Sequence, residues 1–436
     1  MEWEARLRTA LTEPAYGLAA LRVAVVAVLL VTPELGAARS LSRSPELLVA
    51  APEGLGWLGH VQFSPGLVDA VHTLALSAGA TALLGYWARV SCGLFGLSAT
   101  FLLSFAERSG AALHGMHLLW LLALLSVSPC ADVWSLDAWG KRGAPASPAY
   151  GVPLCAARLL LGAVYFFPGL HKLLSAGLSW GSAENVTAIL YSKWFQHGRL
   201  PLLRIDTSPS LLAWGGAAVL VFELSFWLLA LLPATRLLAL LAGLTFHIAT
   251  QLFFFISFPS LWVCYVVLVP WQRAFLKRFT WTMPGQTARF PWPSAMVGAL
   301  LLGGAVAQGA RGQTQAFPFA CYPTFAGLFP RLAPDLLVEL VRPDGSSVRL
   351  GRDTRQYRTQ QQWGQVYWLL GAYGGVASDE QLRQFARRLA RSERWRSELR
   401  AASALRFLIA EYSTVPSDRG RPPVRLRLLR QLSGGA

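Results

Sequence analysis

The sequence predicts an α-helical polytopic membrane protein of about nine transmembrane helices, followed by a small C-terminal α+β extramembrane domain. Three observations lead there. The 436 residues are 54% hydrophobic and only 14% charged, with a mean hydropathy of +0.41, whereas soluble domains carry roughly 25% charged residues. Long apolar runs recur as far as residue 310. After them the apolar residues take the alternating and helical spacings of a soluble domain.

Crossing a bilayer core takes about 20 apolar residues. The runs 16–33, 66–87, 90–106, 113–129, 153–174, 210–232, 235–257, 259–271 and 292–310 are the candidates, so the membrane unit is 1–310. The run from Ser91 is rich in Gly and Ser, and the one from Pro259 is short enough to re-enter the membrane. Glu2, Glu4 and Glu13 deny the first run the basic flank of a cleavable signal, so it reads as an uncleaved anchor. Lys and Arg near the span ends favour a cytoplasmic N-terminus, which with nine spans puts the C-terminal domain outside the cytoplasm. Between 175 and 209, Trp180, Tyr191, Trp194 and Phe195 stand among polar residues, a pattern of the headgroup level.

The second unit is 311–436. "LLVELVRPDGSSVRLG" alternates around Pro343-Asp344-Gly345, a hairpin signal. A helix opens at Ser378, with Gln381 three residues on and Leu382, Phe385 and Leu389 along one face. "PPVRLRLLRQL" predicts a returning strand. The net charge of +16 is concentrated here. It reads as a solvated face, or as contact with anionic headgroups or an acidic substrate. Membrane lipids are the expected surroundings and no nucleic-acid partner is expected. The five cysteines lack CxxC spacing, so neither a metal site nor a disulfide framework is predicted.

Ionisable groups inside spans are expensive, and they face a cavity or a partner. They are Arg22, His72, His114, His117, Arg158, His171, Lys172, Glu223 and His247. Arg22 is near enough to a span end to snorkel. Arg158 would snorkel or pair with Glu223, which is too deep to reach water and must be neutral or paired. Lys172 follows Pro168 and Gly169 in "YFFPGLHKLL", where a helix should kink or end. Its neighbour His171 points about 100° away. Lys172 either snorkels or sits desolvated, and a desolvated amine serves as a general base.

These residues resemble a known family. "LLGYWARVSCGLF", "MHLLWLLALLSVSPCADVWSLDAW" with its W-S-x-D turn, "YFFPGLHKL" and "TRLLALLAGLTFHIATQLFFFI" are similar, in order over 60–275, to the vitamin K-dependent gamma-glutamyl carboxylases and their bacterial relatives, the horizontally transferred transmembrane (HTTM) domain proteins. The resemblance implies a gamma-carboxylase-like enzyme of the bacterial inner membrane. Such an enzyme couples oxygenation of a reduced vitamin K or menaquinone-type hydroquinone to carboxylation of glutamate in a peptide or protein. Dioxygen and carbon dioxide are its co-substrates. It further implies Lys172 as the base that deprotonates the hydroquinone and His117 as its support, with His247, His171, Trp134, Asp137 and Trp180 lining or shaping the pocket. This chain departs from the family in carrying Met116 in place of Asn, His171 in place of Lys and Pro168 in place of Ala. Its tail does not match the β-rich part that binds propeptides in the animal enzymes. Two other readings stand beside this one: quinone epoxidation without peptide carboxylation, and a non-catalytic scaffold that binds partners through its basic tail.

Overall fold

The computed structural model describes residues 9–43, 61, 63–108, 113–141, 144–271, 290–312, 316–319, 325–349, 379–380, 382–383 and 393–433. Among them seven helices are long and apolar enough to cross a membrane: Tyr16–Ser42, Pro65–Leu84, Ala88–Glu107, Pro148–Gly181, Pro209–Leu231, Arg236–Phe254 and Trp292–Arg311. The first is divided at Pro33 into α1 (Tyr16–Leu30) and α2 (Pro33–Ser42). The others are α3 (Pro65–Leu84), α4 (Ala88–Arg108), α6 (Pro148–Ala176), α8 (Pro209–Leu231), α9 (Arg236–Phe254) and α11 (Trp292–Arg311).

Two of the nine predicted runs are shorter than a span. The run 113–129 forms only the 11-residue α5 (Met116–Ser126), which stops before Ser128-Pro129 because proline excludes the helical conformation from the residue ahead of it. The run 259–271 forms the single turn α10 (Pro259–Trp262) and a 3-10 stretch, Val263–Val267. The surface segment forms α7 (Ala183–His197), capped by the Ser182 hydroxyl.

The 29-residue α6 is the central helix, and its buried residues run along most of its length. It does not end at Pro168. The helix continues to Ala176 with Pro153 and Pro168 inside it, held on both sides by α8 and α11, as prolines within packed membrane helices are. Gly169 serves the packing rather than a break. A Cβ there would lie 2.8 Å from the Glu223 Cβ, so only glycine lets α8 come this close to α6.

One end of the bundle is fixed where α6 starts. Ser147 bridges to Glu13, and Tyr150 donates to Asp132 at 2.6 Å. Arg158 is clamped there by both Glu13 carboxylate oxygens, at 2.6 and 2.8 Å, and donates to the Val267 carbonyl at 2.9 Å. Its carboxylate partner is therefore Glu13, not Glu223. Arg22 does not snorkel. It is fully buried and donates to the carbonyls of Ala82 (2.6 Å) and Leu83 (3.1 Å) at the C-terminus of α3, and to those of Cys130 (3.1 Å) and Trp134 (2.5 Å). Those last carbonyls of α3 carry the negative end of its dipole, and of the two only Ala82 is also met by the Gly85 N–H of the helix cap. Arg22→Leu takes the guanidinium from the carbonyls of Leu83, Cys130 and Trp134 and leaves Ala82 with the Gly85 N–H alone, at about 1–3 kcal/mol for each buried carbonyl left unpaired, so thermal unfolding in detergent should fall to clearly lower temperature. An unchanged transition would show that the carbonyl cradle is not stabilising.

At the other end sits a four-stranded antiparallel sheet of order β2-β1-β3-β4, from β1 (Leu332–Val341), β2 (Ser347–Arg349), β3 (Ala404–Ser413) and β4 (Arg425–Ser433). The β1–β2 hairpin turns at Asp344-Gly345 as predicted, with Gly345 at φ +84° and the Asp344 carboxylate accepting from the Ser346 N–H. Pro334 falls where β1 has only β3 beside it, so its missing N–H costs no ladder bond on the β2 side. Of the predicted helix, residues 379–380 and 382–383 are helical, and α12 (Glu393–Ala401) follows. Ser378, Gln381, Phe385 and Leu389 lie outside the described residues, as does Cys321.

Candidate active site

Lys172 lies on the side of α6 that Gly169 opens to α8. Its Nζ donates to Glu223 Oε1 and stands 4.7 Å from the Trp180 ring centroid. Lys172 is 4% exposed, Glu223 4% and Trp180 5%, so the amine does not reach water and the snorkelling reading fails. Trp180 is fixed in turn: its indole N–H donates to the Phe325 carbonyl at 2.6 Å, and Asn185 Nδ2 donates to the Trp180 carbonyl at 2.7 Å. Glu223 Oε2 is buried with no hydrogen-bond partner among the described residues.

About 10 Å earlier along α6, the Tyr165 hydroxyl is 2.7 Å from His247 Nε2 and 2.6 Å from the Tyr265 hydroxyl. Gly243, one turn before His247 on α9, makes the room, since a Cβ there would overlap the Tyr265 ring. Phe222, the neighbour of Glu223, packs on Tyr165 at 5.3 Å and stacks on Phe246 at 5.0 Å, which joins this aromatic cluster to the lysine pair. His247 Nδ1 is the second buried atom here without a partner among the described residues.

The other predicted residues are placed as follows. His171 points away from Lys172, as their spacing requires, and donates through Nε2 to the Gly309 carbonyl of α11 at 2.7 Å. His117 is buried and donates through Nε2 to the Ser260 carbonyl at 2.6 Å, while Ser260 Oγ donates to the His114 carbonyl at 3.4 Å. His114 and His247 both contact the Phe258 ring, at 5.7 and 6.0 Å, so the α5 start, α9 and α10 converge. Trp134 and Asp137 are elsewhere. The Asp137 carboxylate caps the start of α4 by accepting from the Trp87 and Ala88 N–H groups, at 3.0 and 3.1 Å. Their turn adjoins the start of α6, and from Pro148 to Lys172 the helix rises about 36 Å. They shape the opposite end of the bundle rather than the lysine site.

The match to a family model now has a structural counterpart. The HTTM domain model matches residues 54–272, just over half of the chain, a range that holds Lys172, His117, His247 and Glu223 together. The chain belongs to the HTTM domain family. This is the family of domains associated with vitamin K-dependent carboxylases. No curated protein and no solved structure matches the chain. The HTTM region takes in α3 to α10, while α1, α11 and the sheet lie outside it.

Glu223 is the site residue whose role sequence reasoning missed. Its depth inside an apolar span marked it as paired, but nothing in linear spacing tells Lys172 from Arg158 as the partner. Tyr165 and Tyr265 were also missed, because a tyrosine in an apolar run looks like core until its hydroxyl is seen to be paired. Outside the spans, Lys193 of α7 stands 5.0 Å over the Phe325 ring and donates to Gln196 Oε1 at 2.8 Å. Burial holds its ammonium below the usual lysine range. Among the described residues no cluster of His, Cys, Asp or Glu is placed to hold a metal ion.

Proposed function

We propose that the HTTM site binds a reduced quinone, that Lys172 takes a proton from it, and that the protein is a gamma-carboxylase-like membrane enzyme acting on glutamate in a peptide or protein. The observation that carries this is the buried Lys172–Glu223 pair, with Glu223 Oε2 left without a partner among the described residues. A lysine acts as a base only after losing its own proton, and Glu223 is in contact to receive it. The pair then accepts a second proton from a bound phenolic hydroxyl, ending as ammonium and carboxylic acid with the hydroquinone left as an anion. Phenols titrate near 10, close to lysine, so the transfer is nearly matched.

The residues present fit such a ligand. Buried polar atoms are nearly always paired, and Glu223 Oε2 and His247 Nδ1 are the buried atoms here that have no partner among the described residues. Each would be satisfied by a hydroxyl on an otherwise apolar ring. The surrounding Phe222, Phe246 and Trp180 are suited to an aromatic guest and exclude water. A hydroquinone held there would, on oxygenation, supply a base strong enough to remove a glutamate γ-proton, which no side chain is, and so open that carbon to carbon dioxide.

The test supplies membranes holding the full chain with reduced menaquinone or vitamin K, dioxygen, labelled carbonate and a Glu-rich peptide. Quinone epoxide together with labelled peptide supports the proposal. Epoxide without label restricts the protein to quinone oxygenation, and the absence of both assigns the pair to structure alone. Tyr165→Phe removes the hydroxyl that joins His247 to Tyr265 and leaves the His247 ring free to turn. Epoxide formation should fall about 10-fold, read as initial rate, while the folded fraction on gel filtration is kept. A rate equal to that of the parent would exclude His247 orientation from the reaction.

A further inference from the structure

Among the described residues β4 is an edge strand, paired with β3 on one side only. An edge strand offers its outer N–H and C=O groups to any extended chain, and proteins with no use for such an edge shorten or cover it. Here it is nine residues long, and within it only Leu432 is buried. The register sorts its side chains. Arg425 and Arg427 stand opposite Glu411 and Ile409, and beyond the bulge Arg430 stands opposite Phe407, so the three guanidinium groups share a face. Leu426 and Leu428 stand opposite Ala410 and Leu408 on the other face, 48% and 52% exposed.

Two of the three arginines are weakly engaged. Arg425 lies 3.9 Å from Glu411, Arg430 lies 3.0 Å from Asp379, and Arg427 forms no ion pair among the described residues. Every cation after Lys277 is an arginine. Guanidinium holds a carboxylate through two parallel hydrogen bonds, whereas an ammonium acts as a point charge. Charge alone would guard the edge against self-association, but exposed leucines on the opposite face work against that purpose.

We propose that β4 docks an extended acidic segment of a partner protein as a fifth strand. Carboxylates at alternate positions of that segment would lie over Arg425, Arg427 and Arg430, and apolar side chains over Leu426 and Leu428. The sheet that carries this edge adjoins the Lys172 end of the bundle: Tyr412 of β3 meets Phe195 of α7 at 6.0 Å, and Phe329, just ahead of β1, donates to the side chain of Asn185, which holds Trp180. The proposal does not depend on the chemistry of Lys172, since its test measures binding alone.

The test uses the purified full chain in detergent and a fluorescent peptide of alternating glutamate and valine, followed by anisotropy. Two control peptides accompany it, one N-methylated at every second residue and one with glutamine for glutamate. The parent protein should bind the first peptide and lose both controls. The triple variant Arg425→Glu, Arg427→Glu, Arg430→Glu should weaken binding at least about 10-fold, and Arg427→Gln alone should weaken it less, with unchanged thermal unfolding confirming the fold. Equal binding of the N-methylated peptide would reduce the effect to diffuse charge and overturn strand addition, as would no binding by the parent. A triple variant that changes only the anionic lipid retained on purification would make the strand a headgroup surface, and the proposal would fail.

Discussion

Replacing Lys172 with alanine is expected to lower quinone epoxide formation by about 10²–10⁴-fold, the contribution typical of a general base, and to remove labelled carbonate from the peptide with it. Both products depend on the same first proton transfer, so they should fall together. Lys172→Arg sharpens the test. Arginine keeps a cation beside Glu223 but is not deprotonated in proteins. It should therefore leave the thermal unfolding near that of the parent while being as inactive as alanine. Activity retained by the arginine variant would show that Lys172 supplies only charge. Loss of folded protein in both variants would show that the pair is structural, and the measurement that separates the cases is epoxide per mole of folded protein.

Glu223→Leu is the second change with a large expected effect. Lys172 is 4% exposed, and its described carboxylate partner is Glu223. Removing one member of a buried pair leaves an uncompensated charge, at a cost of about 3–5 kcal/mol. The thermal transition in detergent should fall accordingly, or the chain should fail to fold. The double variant Lys172→Met, Glu223→Leu removes both charges and should recover most of that stability, because well-packed apolar replacements of a buried pair are commonly neutral. It should recover no epoxide formation at all. Glu223→Gln completes the set: the shape is kept, the proton acceptor is lost, and turnover should fall further than stability does. If instead Glu223→Gln turned over like the parent, the carboxylate would have no part in taking the proton from Lys172.

The membrane class of this protein, the position of Lys172 and the β hairpin at Asp344-Gly345 were legible in the chain because each is a local matter. Hydropathy is summed over neighbouring residues, and a turn needs only its own residues to form. His171 and Lys172 likewise had to face different ways, since adjacent helical positions do. The number of full spans was less legible: 113–129 and 259–271 are apolar enough, but the first stops ahead of Pro129 and the second passes after one α-turn into a 3-10 stretch, and hydropathy is blind to both.

The partners were decided only in three dimensions. Arg22 looked able to reach water, and instead it closes the end of α3, because the carbonyls of a packed helix terminus outcompete a distant interface. Arg158 and Lys172 each had one claim on a buried carboxylate, and the chain order gave no reason to assign Glu13 to the first and Glu223 to the second. That choice was made by Gly169, which lets α8 approach α6 closely enough for a short carboxylate stem to reach the amine. Trp134 and Asp137 are near Lys172 in sequence and about a membrane's thickness from it in space, because a helix of 29 residues separates the two ends. Linear order thus determined which groups are costly to bury, while helix packing determined which of them meet, since an ion pair depends on distances of a few ångströms that only the folded bundle sets.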